Sequence, residues 1–125
     1  NHGVLASDGS FTLNLSGAYT GQGQLSSLGE LTLNTGSLDI ASSARIAGGA
    51  ASTLTVSGLL ANQGRITSAG SLTARAGTLD NYGTLGSAGL LRLETPSLLN
   101  EKGLIFSGDD MALRVKRFTN RYADV

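Results

Sequence analysis

The chain has 125 residues, the length of one domain, and its nine Lys and Arg balance nine Asp and Glu, so attraction of nucleic acid or an anionic membrane by net charge is excluded. Cysteine is absent, which excludes disulfides and thiolate metal sites but leaves the redox compartment open. No apolar run approaches the roughly 18 residues of a membrane span, and no signal-peptide pattern opens these residues.

Taken in chain order, one phrase of about twenty residues recurs six times. The first copy carries Leu5, Ser7, Gly9, Phe11 and Leu13. The second carries Leu25, Ser27, Gly29, Leu31, Leu33 and Leu38 in the same order. In the third, Ile46 and Gly48 take the first two places, and Leu54, Val56 and Leu60 are aligned with Leu31, Leu33 and Leu38. Ile66, Ser68, Gly70, Leu72, Ala74 and Leu79 make the fourth copy; Leu85, Ser87, Gly89, Leu91, Leu93 and Leu98 make the fifth. Ile105, Ser107, Met111, Leu113 and Phe118 complete the sixth, with Asp109 at the glycine place, and Val125 stands where a seventh would begin.

Within each copy the apolar residues fall two apart, which is the alternation of a strand and not of a helical stripe. Ordering backbone costs roughly 1 to 2 kcal/mol per residue, whereas burying an aliphatic side chain stabilises by only about 1.5 to 3 kcal/mol. A lone copy with four or five such side chains cannot fold, so the copies must stack and share hydrogen bonds. The expected architecture is a right-handed parallel β-helix of about six coils, roughly 20 residues per coil. At about 4.8 Å per layer, it forms a rod on the order of 30 Å long.

The reading of residues 1–125 is a single fragment of a longer solenoid. Asn1-His2-Gly3-Val4-Leu5 matches the middle of the repeat, as do Asn62-Gln63-Gly64-Arg65-Ile66 and Asn81-Tyr82-Gly83-Thr84-Leu85. Asn120 onward opens another copy, so both ends fall mid-repeat and end-to-end self-stacking of the fragment is expected. The spacing from Leu31 to Leu54 stretches the third copy, and the surplus is assigned to a bulge at Gly48-Gly49-Ala50-Ala51-Ser52. Asn62, Asn81, Asn100 and Asn120 form a polar series suited to hydrogen bonding along the rod.

The catalytic inventory is short. His2 is the single histidine, and a serine triad would have to use it at the edge of the chain. Asp109 and Asp110 are adjacent, a poor arrangement for a general acid and base on a strand, and read as a turn. The Gly-Gly-x-Gly-x-Asp series of calcium-binding β-helices is missing, and no phosphate loop or dinucleotide fingerprint occurs. No catalytic, cofactor-binding or metal residues are assigned, and the chain is read as no enzyme. Asn14-Leu15-Ser16 fits a glycosylation sequon. Five basic residues fall from Lys102 onward, and Arg114, Lys116, Arg117 and Arg121 are the candidate surface contacts, for an acidic glycan, a partner domain or the next part of a rod.

Asn81 to Leu93 and Ser71 to Asn81, in particular, closely resemble haemagglutinin repeats, and the likeness covers nearly the whole chain. Such repeats build the shafts of filamentous haemagglutinin and of contact-dependent growth inhibition effectors. The resemblance implies a secreted exoprotein on the bacterial outer surface, exported through an outer-membrane secretion partner, in which this segment extends distant binding or toxin domains. The alternative is an adhesive module whose exposed face binds a host or bacterial cell-surface glycan or protein. No binding residues are carried over from the family.

Overall fold

The computed structural model describes residues 3–123 and 125, and every strand pairing in it is parallel. The strands are β1 (Val4–Ser7), β2 (Phe11–Asn14), β3 (Ala18–Gly21), β4 (Gln24–Ser27), β5 (Leu31–Thr35), β6 (Ser37–Ile40) and β7 (Arg45–Gly48). They continue as β8 (Ser52–Asn62), β9 (Arg65–Ser68), β10 (Leu72–Asn81), β11 (Thr84–Ser87), β12 (Leu91–Glu101), β13 (Leu104–Ser107) and β14 (Met111–Arg121). One six-stranded sheet runs β1-β4-β7-β9-β11-β13; a second runs β2-β5-β8-β10-β12-β14, with β3 and β6 continuing its lower coils. The chain is a β-solenoid of about six turns, as its sequence period requires.

The vertical columns are those of the repeat. Leu5 lies beside Leu25, then Ile46, Ile66, Leu85 and Ile105, each the register partner of the next. Leu38, Leu60, Leu79, Leu98 and Phe118 stack in the same way, with Tyr19 beneath them. Between the two sheets these inward residues form one continuous core in which Leu25, Leu54, Leu85 and Leu93 are fully buried. Most outward neighbours are polar or small, with Val4 and Leu104 among the exposed exceptions, so one alternation supplies both the core and the solvated faces.

The third coil departs from the expected alignment in two ways. Its strands pair Leu31 with Ser52, Leu33 with Leu54 and Thr35 with Val56, so Leu54 and Val56 each stand one inward place further along than their pattern suggests. Gly48 is partnered by Ser27 and Ser68, and the step from Gly48 to Ser52 equals that from Ser27 to Leu31, leaving no bulge between them. The surplus residues lie at the opposite corner. Ala41, Ser42, Ser43 and Ala44 separate Ile40 from Arg45, where Gln63 and Gly64 alone separate Asn62 from Arg65.

The physical reason is an exchange of side chains. Ser27 and Ser68 donate their hydroxyls to Gly9 O and Ala50 O, each at 2.6 Å, closing the corner. At Gly48 there is no side chain, and a Cβ there would fall on Ser52 Oγ. The hydroxyl has moved four residues along the chain, and a leucine was given up to make room for it.

The other corner is closed by the asparagines. Asn62 Nδ2 donates to Asn81 Oδ1, Asn81 to Asn100 and Asn100 to Asn120, each at 2.9 Å. The first three are fully buried. Among the described residues no buried side-chain polar atom lacks a hydrogen-bond partner, which removes the several-kcal/mol penalty that buried amides would otherwise carry.

Candidate functional site

Two outward columns of the second sheet, neutral in the lower coils, gain cations in the upper ones. Thr12, Thr32, Thr53 and Thr73 are successive register partners, and the next coil places Arg92 in that column. One column over, Asn14, Asn34, Thr55, Arg75, Glu94 and Arg114 follow in register. In the lower coils Asn34 Nδ2 donates to Asn14 Oδ1 at 2.7 Å. In the upper coils an ion ladder replaces the amides, and Arg75 Nε donates to Glu94 Oε2 at 2.5 Å.

The Arg75 hydrogen bond holds the Glu94 carboxyl below the ordinary glutamate range, opposed by some desolvation and assisted by the charges of Arg75, Arg114 and Arg92. Arg114 stands directly across from Glu94 on β14, and Lys116 lies two residues further along the same exposed strand face. Between them a hollow of about 370 Å³ is lined by Thr95, Pro96, Arg114, Val115 and Lys116. Pro96 has no N–H to donate, and it falls where the register runs from Thr95–Val115 directly to Ser97–Arg117.

The four candidate contacts are thus divided. Arg114 and Lys116 share one face; Arg117 follows at the bend beside Ser97. Arg121 sits at the asparagine corner, opposite Glu101, with its Nη1 3.7 Å from Glu101 Oε1. Arg75 and Arg92 belong with Arg114 and Lys116, although they stand far from them in sequence. The signal for Arg75, Glu94 and Arg114 was present in their spacings of 19 and 20 residues.

The asparagine corner widens by one residue in the upper coils, because Glu101, Lys102 and Gly103 separate Asn100 from Leu104 where Tyr82 and Gly83 alone separate Asn81 from Thr84. Lys102 and Tyr122 take φ values of 57° and 51°, the left-handed region that favours glycine. Burial, then the charges of Asp80 and Glu101, push the Tyr82 phenol up, and burial likewise raises Asp80. Asp109 and Asp110 lie in the turn between β13 and β14, with their carbonyls accepting from Ser107 Oγ. His2 falls outside the described residues. Among the described residues no group of three or more His, Cys, Asp or Glu is placed to hold a metal ion.

The haemagglutinin repeat profile matches residues 1–73, 27–93 and 67–125, which together span the chain. The chain belongs to the haemagglutinin repeat family. That places it among filamentous-haemagglutinin-type structural or adhesin-related segments, in a family typical of secreted or surface-exposed bacterial proteins. Comparison with curated proteins and with solved structures gave no match. In this haemagglutinin-repeat chain the inward columns make the shaft, and whatever varies from coil to coil is carried on the outward faces.

Proposed function

We propose that the chain is a structural shaft segment of a large secreted bacterial exoprotein, an adhesin or a contact-dependent growth inhibition effector, and that it holds distant binding or toxin domains away from the cell. It has no enzymatic role in this reading. The observation that carries it is the continuity of the core. Leucine and isoleucine stack over leucine and isoleucine through all six coils, and the buried asparagine and serine side chains hydrogen-bond to the coil above, the coil below or their own corner. Such an arrangement transmits length and stiffness.

The partners that follow are the rest of the exoprotein and the outer-membrane protein that exports it. The end layers support continuation of the rod or end-to-end stacking: Leu5 and Phe118 are exposed there, whereas Leu25, Leu85 and Leu98, which occupy the same columns deeper in the rod, are buried. The test is replacement, within the full exoprotein, of these residues by the same number of haemagglutinin-repeat coils of unrelated surface sequence. Retained adhesion or growth inhibition is expected. Loss of that activity with export and filament length unchanged would overturn the shaft role.

A further inference from the structure

We propose that the outward face of the six-stranded sheet docks against a second copy of this chain lying parallel and level beside it. The face it meets there is the one formed by β3, β6 and the later halves of β8, β10, β12 and β14. This goes beyond the shaft role and stands independently of it.

The first ground is how charge is divided between two faces of a chain whose net charge is zero. On the six-stranded sheet, β7 and β9 place Arg45 directly against Arg65, both exposed, and no strand of that sheet carries an Asp or Glu. Like charges directly opposite one another are destabilising in an isolated sheet. On the other face Asp39, Ala61 and Asp80 are successive outward register partners, and the one cation, Arg117, lies in the last coil. Among the described residues none of Arg45, Arg65, Asp39 and Asp80 has a salt bridge within 4.0 Å. Each face thus holds charges that the other lacks.

The second ground is the order of these groups along the rod. β6 turns one corner into β7, and β8 turns the same corner into β9, so Asp39 stands level with Arg45 and Ala61 with Arg65. Asp80 lies one layer above Ala61, about 4.8 Å, a gap that an arginine side chain spans. Two copies side by side at one height therefore bring Arg45 to Asp39 and Arg65 to Asp80. Guanidinium forks suit those carboxylates.

The third ground is apolar and falls in the same alignment. Leu104 and Phe106 face outward at the top of the arginine face, and a Cβ on Gly86 would fall on the Phe106 ring, so that ring lies down over the coil beneath. On the acidic face the half-buried Leu99 stands level with Leu104, because β12 turns into β13 at that height. Inverting one copy carries Leu104 and Phe106 to the lower coils, away from Leu99. The face measures roughly 30 Å by 13 Å, on the order of 400 Å² per partner, so one contact is weak. Since the two faces differ, each docked copy still presents one of them, and the contact can repeat from rod to rod.

The experiment follows the whole 125-residue chain by sedimentation velocity over a concentration series at low and high salt. Two charge variants are compared, Arg45→Glu with Arg65→Glu, and Asp39→Lys with Asp80→Lys; Asp39→Lys alone serves as a milder form, since Asp80 is half-buried. The unaltered chain should associate, more tightly at low salt. Each double variant alone should associate about tenfold more weakly or less, and their equimolar mixture should recover, because opposite charges then meet again. Circular dichroism should be the same for all. End-to-end stacking is blind to these changes, which lie on the sides of the rod. Because cysteine is absent, Thr67→Cys mixed with Thr78→Cys should give a clean cross-link with a short bismaleimide. Ser26→Cys with Ser97→Cys should not, since β4 and β13 are four layers apart, about 19 Å. The proposal is overturned if the unaltered chain shows no salt-sensitive association, if the double variants associate as it does, if the mixture fails to recover, or if the second cysteine pair links as readily as the first. Binding of phosphatidylglycerol vesicles through Arg45 and Arg65, with copies staying apart, gives that face another occupant and overturns it as well. Each of these outcomes leaves the shaft role standing, since coil replacement tests that separately.

Discussion

The exchange of Gly48 and Ser52 for the usual serine and leucine makes a sharp test of the packing. Gly48→Ser alone introduces a Cβ onto the site of Ser52 Oγ, 3.2 Å from Ser52 Cβ and 3.4 Å from Leu31 Cβ. The Ser52 hydroxyl must rotate away and lose its contact with Ala50 O, so overpacking destabilises by about 1 kcal/mol or somewhat more. Ser52→Leu alone puts a leucine between Leu31 and Leu72, where burial contributes up to about 2 kcal/mol. With both changes the new serine hydroxyl has the same reach as Ser27 and Ser68, which donate to the coil below and to the residue three ahead. Ser27 with Leu31 and Ser68 with Leu72 already show that the pair fits this backbone. The double variant should therefore exceed the sum of the singles by about 1 to 2 kcal/mol and be more stable than the unaltered chain. Urea denaturation of the four proteins, with equal slopes, measures the coupling. Additivity within about 0.5 kcal/mol, or a double variant weaker than the starting chain, would refute the exchange.

Asn81→Ala should destabilise by about 3 kcal/mol, because the side chain accepts from Asn62 and its two amide hydrogens are shared among Gly83 O, Asn100 Oδ1 and Leu104 O. Asn34→Ala, which removes an exposed amide pair, should change urea stability by less than about 0.5 kcal/mol. Leu85→Asp should abolish the β signal in circular dichroism, since it places an unpaired charge at a fully buried column site. Glu94 should titrate by NMR below an ordinary glutamate, and Arg75→Ala should move it back upward. Because the folded value is depressed, the small stabilising effect of that ion pair is present above the unfolded glutamate value and disappears as pH falls through the folded one. A Glu94 titration unchanged by Arg75→Ala would contradict the ladder.

The repeat was legible because identical side chains in register leave the same trace at each turn of the sequence. The columns through Leu5 and Leu38 and the asparagine series are therefore found where the periodicity puts them. The third coil was misaligned because alternation alone does not fix register when the next inward place is also apolar. Val56 over Thr35 satisfies the pattern as well as Leu54 over Leu31 would, and only the hydroxyl needed at the Gly48 corner decides between them. The cationic face was half seen. A scan along the chain gathers Arg114, Lys116, Arg117 and Arg121 by proximity, whereas the solenoid gathers Arg75, Arg92 and Arg114 by register and sends Arg121 to another corner, opposite Glu101. Pro96, ordinary in a sequence, acquires meaning only once Lys116 is found across from it.

The asparagine chain runs in one sense only, each amide nitrogen pointing toward the later coil and each oxygen toward the earlier. The last member, Asn120, turns its amide to Ala123 O, so backbone closes the run at that end. The run of amides thus has a direction, an arrow along the rod. Beneath Asn62 that arrow starts from Ile40, a hydrocarbon, so the polar wire has a defined origin inside the molecule.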